Sequence, residues 1–197
     1  MKVISVDRDN DSPASCGWVN NDPIILINDN PEHNWETTRR RFSLMHEAGH
    51  IFFKGLIDDE VEEAFCNRFA ASILLPDEAL VSIIGKNRTS ISLGELRRIK
   101  ETYGLSIQSI IYRLNDLHLI NDNSKSLMIE EYKNWRNEEK DFGVYDSKKE
   151  IPKRFFDLLR RALTESRIDR YKAHEISGMD IDSLKDKLLI NDKIDLI

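Results

Sequence analysis

Between Arg41 and Phe53 the chain reads RFSLMHEAGHIFF, which sets two histidines and a glutamate into a run that is otherwise almost wholly apolar. No other segment constrains the fold as tightly. The spacing is helical, so whatever packs around this helix has to satisfy three polar groups on a mostly buried surface. Burying them without strong partners costs about 1 to 3 kcal/mol each or more. Core histidines bonded to backbone, with Glu47 in a salt bridge, would meet part of that cost. A metal ion would meet all of it.

His46-Glu47-Ala48-Gly49-His50 has the form HExxH. Residues four apart on a helix lie about 40° apart around its axis and one turn along it, so His46 and His50 point to one side and can share an ion. Zinc suits neutral imidazole and accepts tetrahedral geometry, with manganese and iron as alternatives. Glu47 can reach a water in the open coordination position. There it would act as general base, and later as proton donor to a leaving amine. Gly49 carries a further implication, because a mid-helix glycine costs about 1 kcal/mol relative to alanine. A close approach by another element would offset it.

The rest of the chain supplies the frame. MKVISVD alternates like a strand, and GWV with IILIN flanks the turn-rich NNDP, which predicts a small N-terminal antiparallel sheet. Asn30-Pro31-Glu32 offers a cap and a first-position proline for the HEAGH helix, and Lys54-Gly55 offers its end. Asp58 or Asp59 can cap the next helix, EVEEAFCNRFAASILL, which Pro76 stops. Helices follow near DEALVSII, SLGELRRIKETYG and SIQSIIYRLNDLHLI. The segment NDNSKS reads as a linker, and four helical patterns come after it. The predicted organisation is an α+β metallopeptidase-like domain over residues 1–120, a linker at 121–126 and a helical C-terminal region at 127–197.

Composition excludes several classes. The 197 residues suffice for a real core, and a net charge of −6 gives no general attraction to nucleic acid or an anionic membrane. No apolar run approaches the roughly 20 residues of a membrane span. Cys16 and Cys66 lie far apart, and no basic-then-apolar leader opens the sequence, so a reducing cytoplasm is the predicted compartment.

A catalytic zinc site takes three protein ligands and leaves one position for water. Across an antiparallel helix pair, Glu60, Glu62 and Glu63 would lie level with His50 at about 1.5 Å per residue. Glu63 shares a stripe with Cys66, Asn67 and Ala70, small or polar residues that would let this face approach Gly49. Asn67, one turn on, could hold the Glu63 carboxylate. Periodicity alone leaves Glu62 and Glu60 open.

RFSLMHEAGH followed by EAFCNRFAASILLP resembles the ImmA/IrrE-type metallo-endopeptidases, which share R-F-x-x-x-H-E-x-G-H and then E-x-x-x-N-x-F-A-x-x-[LI]-L-x-P. The resemblance is specific over residues 17 to 76 and weaker through 120. It implies a fold like that of zinc proteases of the HExxH-plus-glutamate type. It also implies His46, His50 and Glu63 as metal ligands and Glu47 as the catalytic carboxylate. Ser72 departs from the pattern, where the family more often has an acid. Members typically cleave, or act beside, a helix-turn-helix repressor, which implies a protein substrate of that kind.

Other candidates are weaker. Tyr103, Tyr112, Arg113, His118 and His174 are available as donors to an oxyanion, but each is more often a surface or packing residue. A small buried Cys66 suits packing better than zinc ligation. Nine Lys or Arg face four acids between Lys148 and Lys172, and RYKAHEISGMDIDSLKDKL has the rhythm of two helices about a turn. Asp180, Asp182 and Asp186 stand where a groove-reading helix would want cations, which argues against direct DNA contact and for docking or stabilisation. A zinc-braced regulator without proteolysis is the rival reading, and a three-ligand site favours catalysis over it.

Overall fold

Strands β1 (Lys2–Val6), β2 (Ala14–Val19) and β3 (Asp22–Asn28) form a sheet in the order β1-β3-β2. The computed structural model describes residues 1–33, 35–85, 88, 90–135, 142–150 and 153–188. Asn20 and Asn21 both have positive φ, 51° and 67°, so they close the β2–β3 hairpin with a two-residue turn matched to the twist of its strands. The sheet is mixed, in contrast to the antiparallel one the sequence predicts. β3 is its centre, pairing antiparallel with β2 and parallel with β1. The reason lies in the connection between β1 and β2, which carries the chain from one edge of β3 to the other. Asn28, 2% exposed, holds that connection: its amide donates to the carbonyls of Asn10 (3.1 Å) and Ser12 (3.3 Å), and its Oδ1 accepts from the backbone of Arg8 (3.2 Å).

Helix α1 spans Thr37–Phe53 and so starts six residues later than the asparagine cap anticipated. Asn30 turns the chain locally instead, with its Oδ1 accepting from Glu32 N at 2.9 Å. The helix begins after His33 and Trp35, which stack at 5.1 Å, with Arg39 over the Trp35 ring at 4.4 Å. Arg40 pairs with Asp29 and ties the helix start to the end of β3. At the other end, Lys54 lies 3.4 Å over the ring of Trp18 on β2. Gly55, φ 70°, takes the left-handed conformation that ends the helix.

Helix α2 (Asp59–Leu74) returns antiparallel to α1, with three acids in its first turn and Pro76 just past its end. Helices α3 (Asp77–Ile84), α4 (Leu93–Tyr103), α5 (Ile107–Asp116) and α6 (Asp122–Trp135) build the main core with the end of α2. Ser92 and Glu95 form a reciprocal capping box on α4, and Ser106 caps α5. Leu75, Leu96, Ile110 and Leu114 are fully buried there. At about 1.5 to 3 kcal/mol per buried side chain, this cluster anchors the helix that presents Glu63. Helix α5 stops four residues short of the predicted Ile120, because His118 takes φ 55° and turns Leu119 and Ile120 into the core.

The segment 121–126 carries the first turns of α6 from Asp122 onward, so the linker read from its polar composition is helix. Tyr132 on that helix is 3% exposed in the main core, which draws the segment in. Packing divides the chain between Asp146 and Ser147. The second unit contains a short 3-10 turn (Ser147–Glu150) and helices α7 (Lys153–Thr164), α8 (Arg170–Ser177) and α9 (Ile181–Leu188) around Leu159, Leu163, Ala173, Leu184 and Leu188. Gly178, φ 67°, separates α8 from α9, and Asp180 accepts from Ser183 N at the start of α9.

Candidate metal centre

The site lies where α1 and α2 touch most closely. A Cβ added to Gly49 would sit 3.1 Å from the Cα of Cys66 and 3.2 Å from its Sγ. This is the close approach that a glycine in mid-helix anticipates, and it brings the two faces into register. His46 and His50 then face Glu63 across the gap.

The three side chains converge on one point. The Nε2 atoms of His46 and His50 are 3.0 Å apart, and the Glu63 carboxylate reaches each at 3.3 Å, one oxygen to each ring. The outer nitrogens are held in turn. His46 Nδ1 meets Asn67 Oδ1 at 3.1 Å, and His50 Nδ1 meets Glu62 Oε1 at 2.8 Å. An amide oxygen and an ionised carboxylate only accept, so each Nδ1 carries the proton and donates. Each Nε2 therefore turns a lone pair toward the other ring and toward Glu63. Two lone pairs and a carboxylate facing one another repel unless a cation lies among them, and a divalent metal with N and O ligands fits that donor set.

Asn67 thus takes a different place from the one its spacing suggests. It supports His46, and does not bond Glu63. Glu62, left open as a ligand by periodicity, supports His50. Helix geometry sorts the two acids: successive residues point about 100° apart, so Glu63, one turn before Asn67, meets the Nε2 side of both rings, while Glu62, one turn before Cys66, reaches the Nδ1 of His50. A second grouping of His50, Glu62 and Cys66 also comes within ligand distance. There, burial pushes the Cys66 thiol up to about 11, and the charges of Glu62 and Glu63 add to the effect. The thiol remains protonated at neutral pH and serves as the small group against Gly49.

Glu47 faces the sheet. Cys16, at the middle of β2, lies beside its carboxylate, and burial first, then the interaction with Glu47 and its charge, push the Cys16 thiol up to about 12. A protonated thiol here is a donor facing the Glu47 carboxylate. The sequence carries a faint sign of this, since Cys16 precedes the GWV strand, but no periodicity shows which residue a strand turns toward a helix. Among the described residues β2 is also an edge strand, bonded to β3 alone and packed on α1. Among the described residues, His118 is not part of the group of His46, His50 and Glu63. Arg113 pairs with Asp77, and its Nε donates to Leu75 O at 3.4 Å.

Arg41, the first residue of the RFSLMHEAGH run, braces the far side. Its guanidinium donates to the Tyr103 carbonyl at 3.1 Å and to the Tyr145 hydroxyl at 2.9 Å, and lies 4.6 Å over the Tyr145 ring. Among the described residues no helix is long and apolar enough to cross a membrane. No curated protein matches the chain. The family model described as the IrrE N-terminal-like domain of the M78 peptidases matches residues 5–115, more than half of the sequence, and this span holds every residue of the site. The chain belongs to this family of metallo-endopeptidases.

Proposed function

We propose that His46, His50 and Glu63 are the ligands of a catalytic zinc ion and that Glu47 is the general base and acid of peptide-bond hydrolysis. The observation that carries this is the convergence of two Nε2 lone pairs and one carboxylate, with Glu47 adjacent in sequence and facing Cys16 of the sheet. Bound there, the metal supplies Lewis acidity toward water and toward a peptide carbonyl. The protein does the remainder. Asn67 and Glu62 keep each imidazole in the tautomer that offers Nε2. Glu47 takes the proton of the attacking water and returns it to the leaving amine.

The edge strand β2 supports the same reading. An extended substrate backbone that adds to a free edge gains main-chain hydrogen bonds, and β2 runs beside Glu47 through Cys16. The substrate is then a protein segment able to open into an extended strand. The resemblance to ImmA/IrrE-type enzymes supports a helix-turn-helix transcriptional repressor as that protein. Residues 1–120 would form the peptidase domain with its following helices, and the C-terminal helices would dock or stabilise. Manganese or iron could replace zinc with the same ligands.

The test is incubation of the zinc-loaded protein with a helix-turn-helix repressor encoded beside it, read by mass spectrometry. Discrete fragments from the wild type and none from Glu47→Gln, with zinc content equal in both, are expected. A stable complex without fragments, or equal fragments from Glu47→Gln, would contradict proteolysis by this site.

A further inference from the structure

A cleft of about 650 Å³ opens beside His46 within the first unit. Two of its lining residues touch that histidine: Phe42 stacks on the ring at a centroid distance of 6.5 Å, and Asn67 bonds Nδ1 at 3.1 Å. Ala64 and Ala71 add apolar lining from α2. Across from them runs α5, where Gln108 and Tyr112 stand four residues apart and share one face. Among the described residues neither of these side chains has a hydrogen-bond partner. Arg68, also in the lining, is engaged among the described residues only through its Nε, by Asp116 Oδ1 at 3.1 Å. Lys125 directs two of its N–H groups to Asn115 Oδ1 and Asp122 Oδ1, each at 2.9 Å, and keeps a third.

We propose that this cleft receives an acidic side chain of the substrate, flanking the bond to be cut, and that Arg68, Gln108 and Tyr112 determine that specificity. The inference rests on the peptidase reading above, because a cleft beside His46 selects substrates only if a chain is cut there. Its size lies within the range of about 300 to 1,000 Å³ typical of ligand pockets. The apolar lining suits the methylene stem of a glutamate. The free N–H groups of Arg68 and Lys125, the Gln108 amide and the Tyr112 hydroxyl all donate to an anion. Asp116, the single carboxylate in the lining, is already paired with Arg68. A lysine in the same place would meet two cations and no unpaired carboxylate in the lining.

The experiment is an amide NMR titration of the full-length, zinc-loaded protein with two blocked tripeptides, Ala-Glu-Ala and Ala-Lys-Ala. The glutamate peptide is expected to shift the amides of Arg68, Ser109 and Tyr112 and to bind about fivefold more tightly than the lysine peptide. Arg68→Glu should reverse the preference, and Gln108→Ala should weaken the glutamate peptide while the spectrum elsewhere stays that of the folded protein. Equal binding of the two peptides, shifts confined to other surfaces, or a preference unchanged in Arg68→Glu would overturn the assignment. Peptide binding needs no turnover, so this result is separable from that of the cleavage test. Loss of the preference removes the pocket and leaves proteolysis standing, and the reverse pattern removes proteolysis alone.

Discussion

Gly49 and Cys66 touch through backbone: a methyl group on Gly49 would lie 3.1 Å from the Cys66 Cα, which cannot rotate away. Gly49→Ala gains about 1 kcal/mol of helix propensity and costs about 1 to 3 kcal/mol of overpacking. The variant should therefore lose up to about 2 kcal/mol of stability and bind zinc more weakly, because separating the helices moves Glu63 from the histidines. Thermal unfolding with and without zinc measures both effects. Cys66→Ala in the same chain should restore only part of the loss, since it removes the sulfur and leaves the α2 backbone in the way. A Gly49→Ala protein with unchanged zinc affinity would show that the helix spacing does not set the site.

Asn67 and Glu62 hold the outer nitrogens of His46 and His50. Asn67→Ala and Glu62→Gln should each retain a full complement of zinc at saturation while lowering its affinity about 10- to 100-fold. Competition with a chelator of known affinity measures this. A complete loss of zinc in Glu62→Gln, with Glu63→Gln nearly normal, would exchange the roles of the two acids.

The Cys16 thiol reports on Glu47. Its pKa is raised first by burial and then by the hydrogen bond and negative charge of Glu47. Glu47→Gln removes the charge and keeps the burial, so the pKa falls and the thiolate fraction at a given pH rises. Alkylation of Cys16 at mildly alkaline pH should be faster in Glu47→Gln, measured by mass spectrometry of the modified peptide. Cys66, for which Glu47 is the smallest of four causes, should change less. An unchanged rate at Cys16 would separate the strand from the glutamate.

All the side chains of the site, and the main core beneath α2, lie before Ser147. A chain ending at Asp146 should fold and bind one zinc with the affinity of the whole protein. Circular dichroism and a zinc titration would show this, and a truncated chain that bound no zinc would make the C-terminal helices part of the site.

Most of the candidate site's geometry was legible because helix spacing maps directly onto it. HEAGH places two rings on one face, and the stripe of Glu63, Cys66 and Asn67 is small enough to meet Gly49. The supporting bonds were not legible in the same way. Asn67 and Glu62 reach rings on another helix, and which nitrogen each meets depends on side-chain torsions that no periodicity records. The same limit applied to Cys16, whose partner is set by how β2 lies on α1. Sheet order escaped for a different reason: alternation marks β1 as a strand, but its place beside β3 follows from the crossing that Asn28 holds. At 121–126 the polar residues suggested a linker, whereas Tyr132 farther along draws the segment into the core as helix.

Zinc content of the purified protein tests the metal centre most directly. After incubation with zinc and removal of the excess, the wild type should hold one ion per chain, and His46→Ala and Glu63→Ala should each hold far less while remaining folded. A wild type without stoichiometric zinc, or a His46→Ala protein that keeps it, would contradict the assignment of this centre.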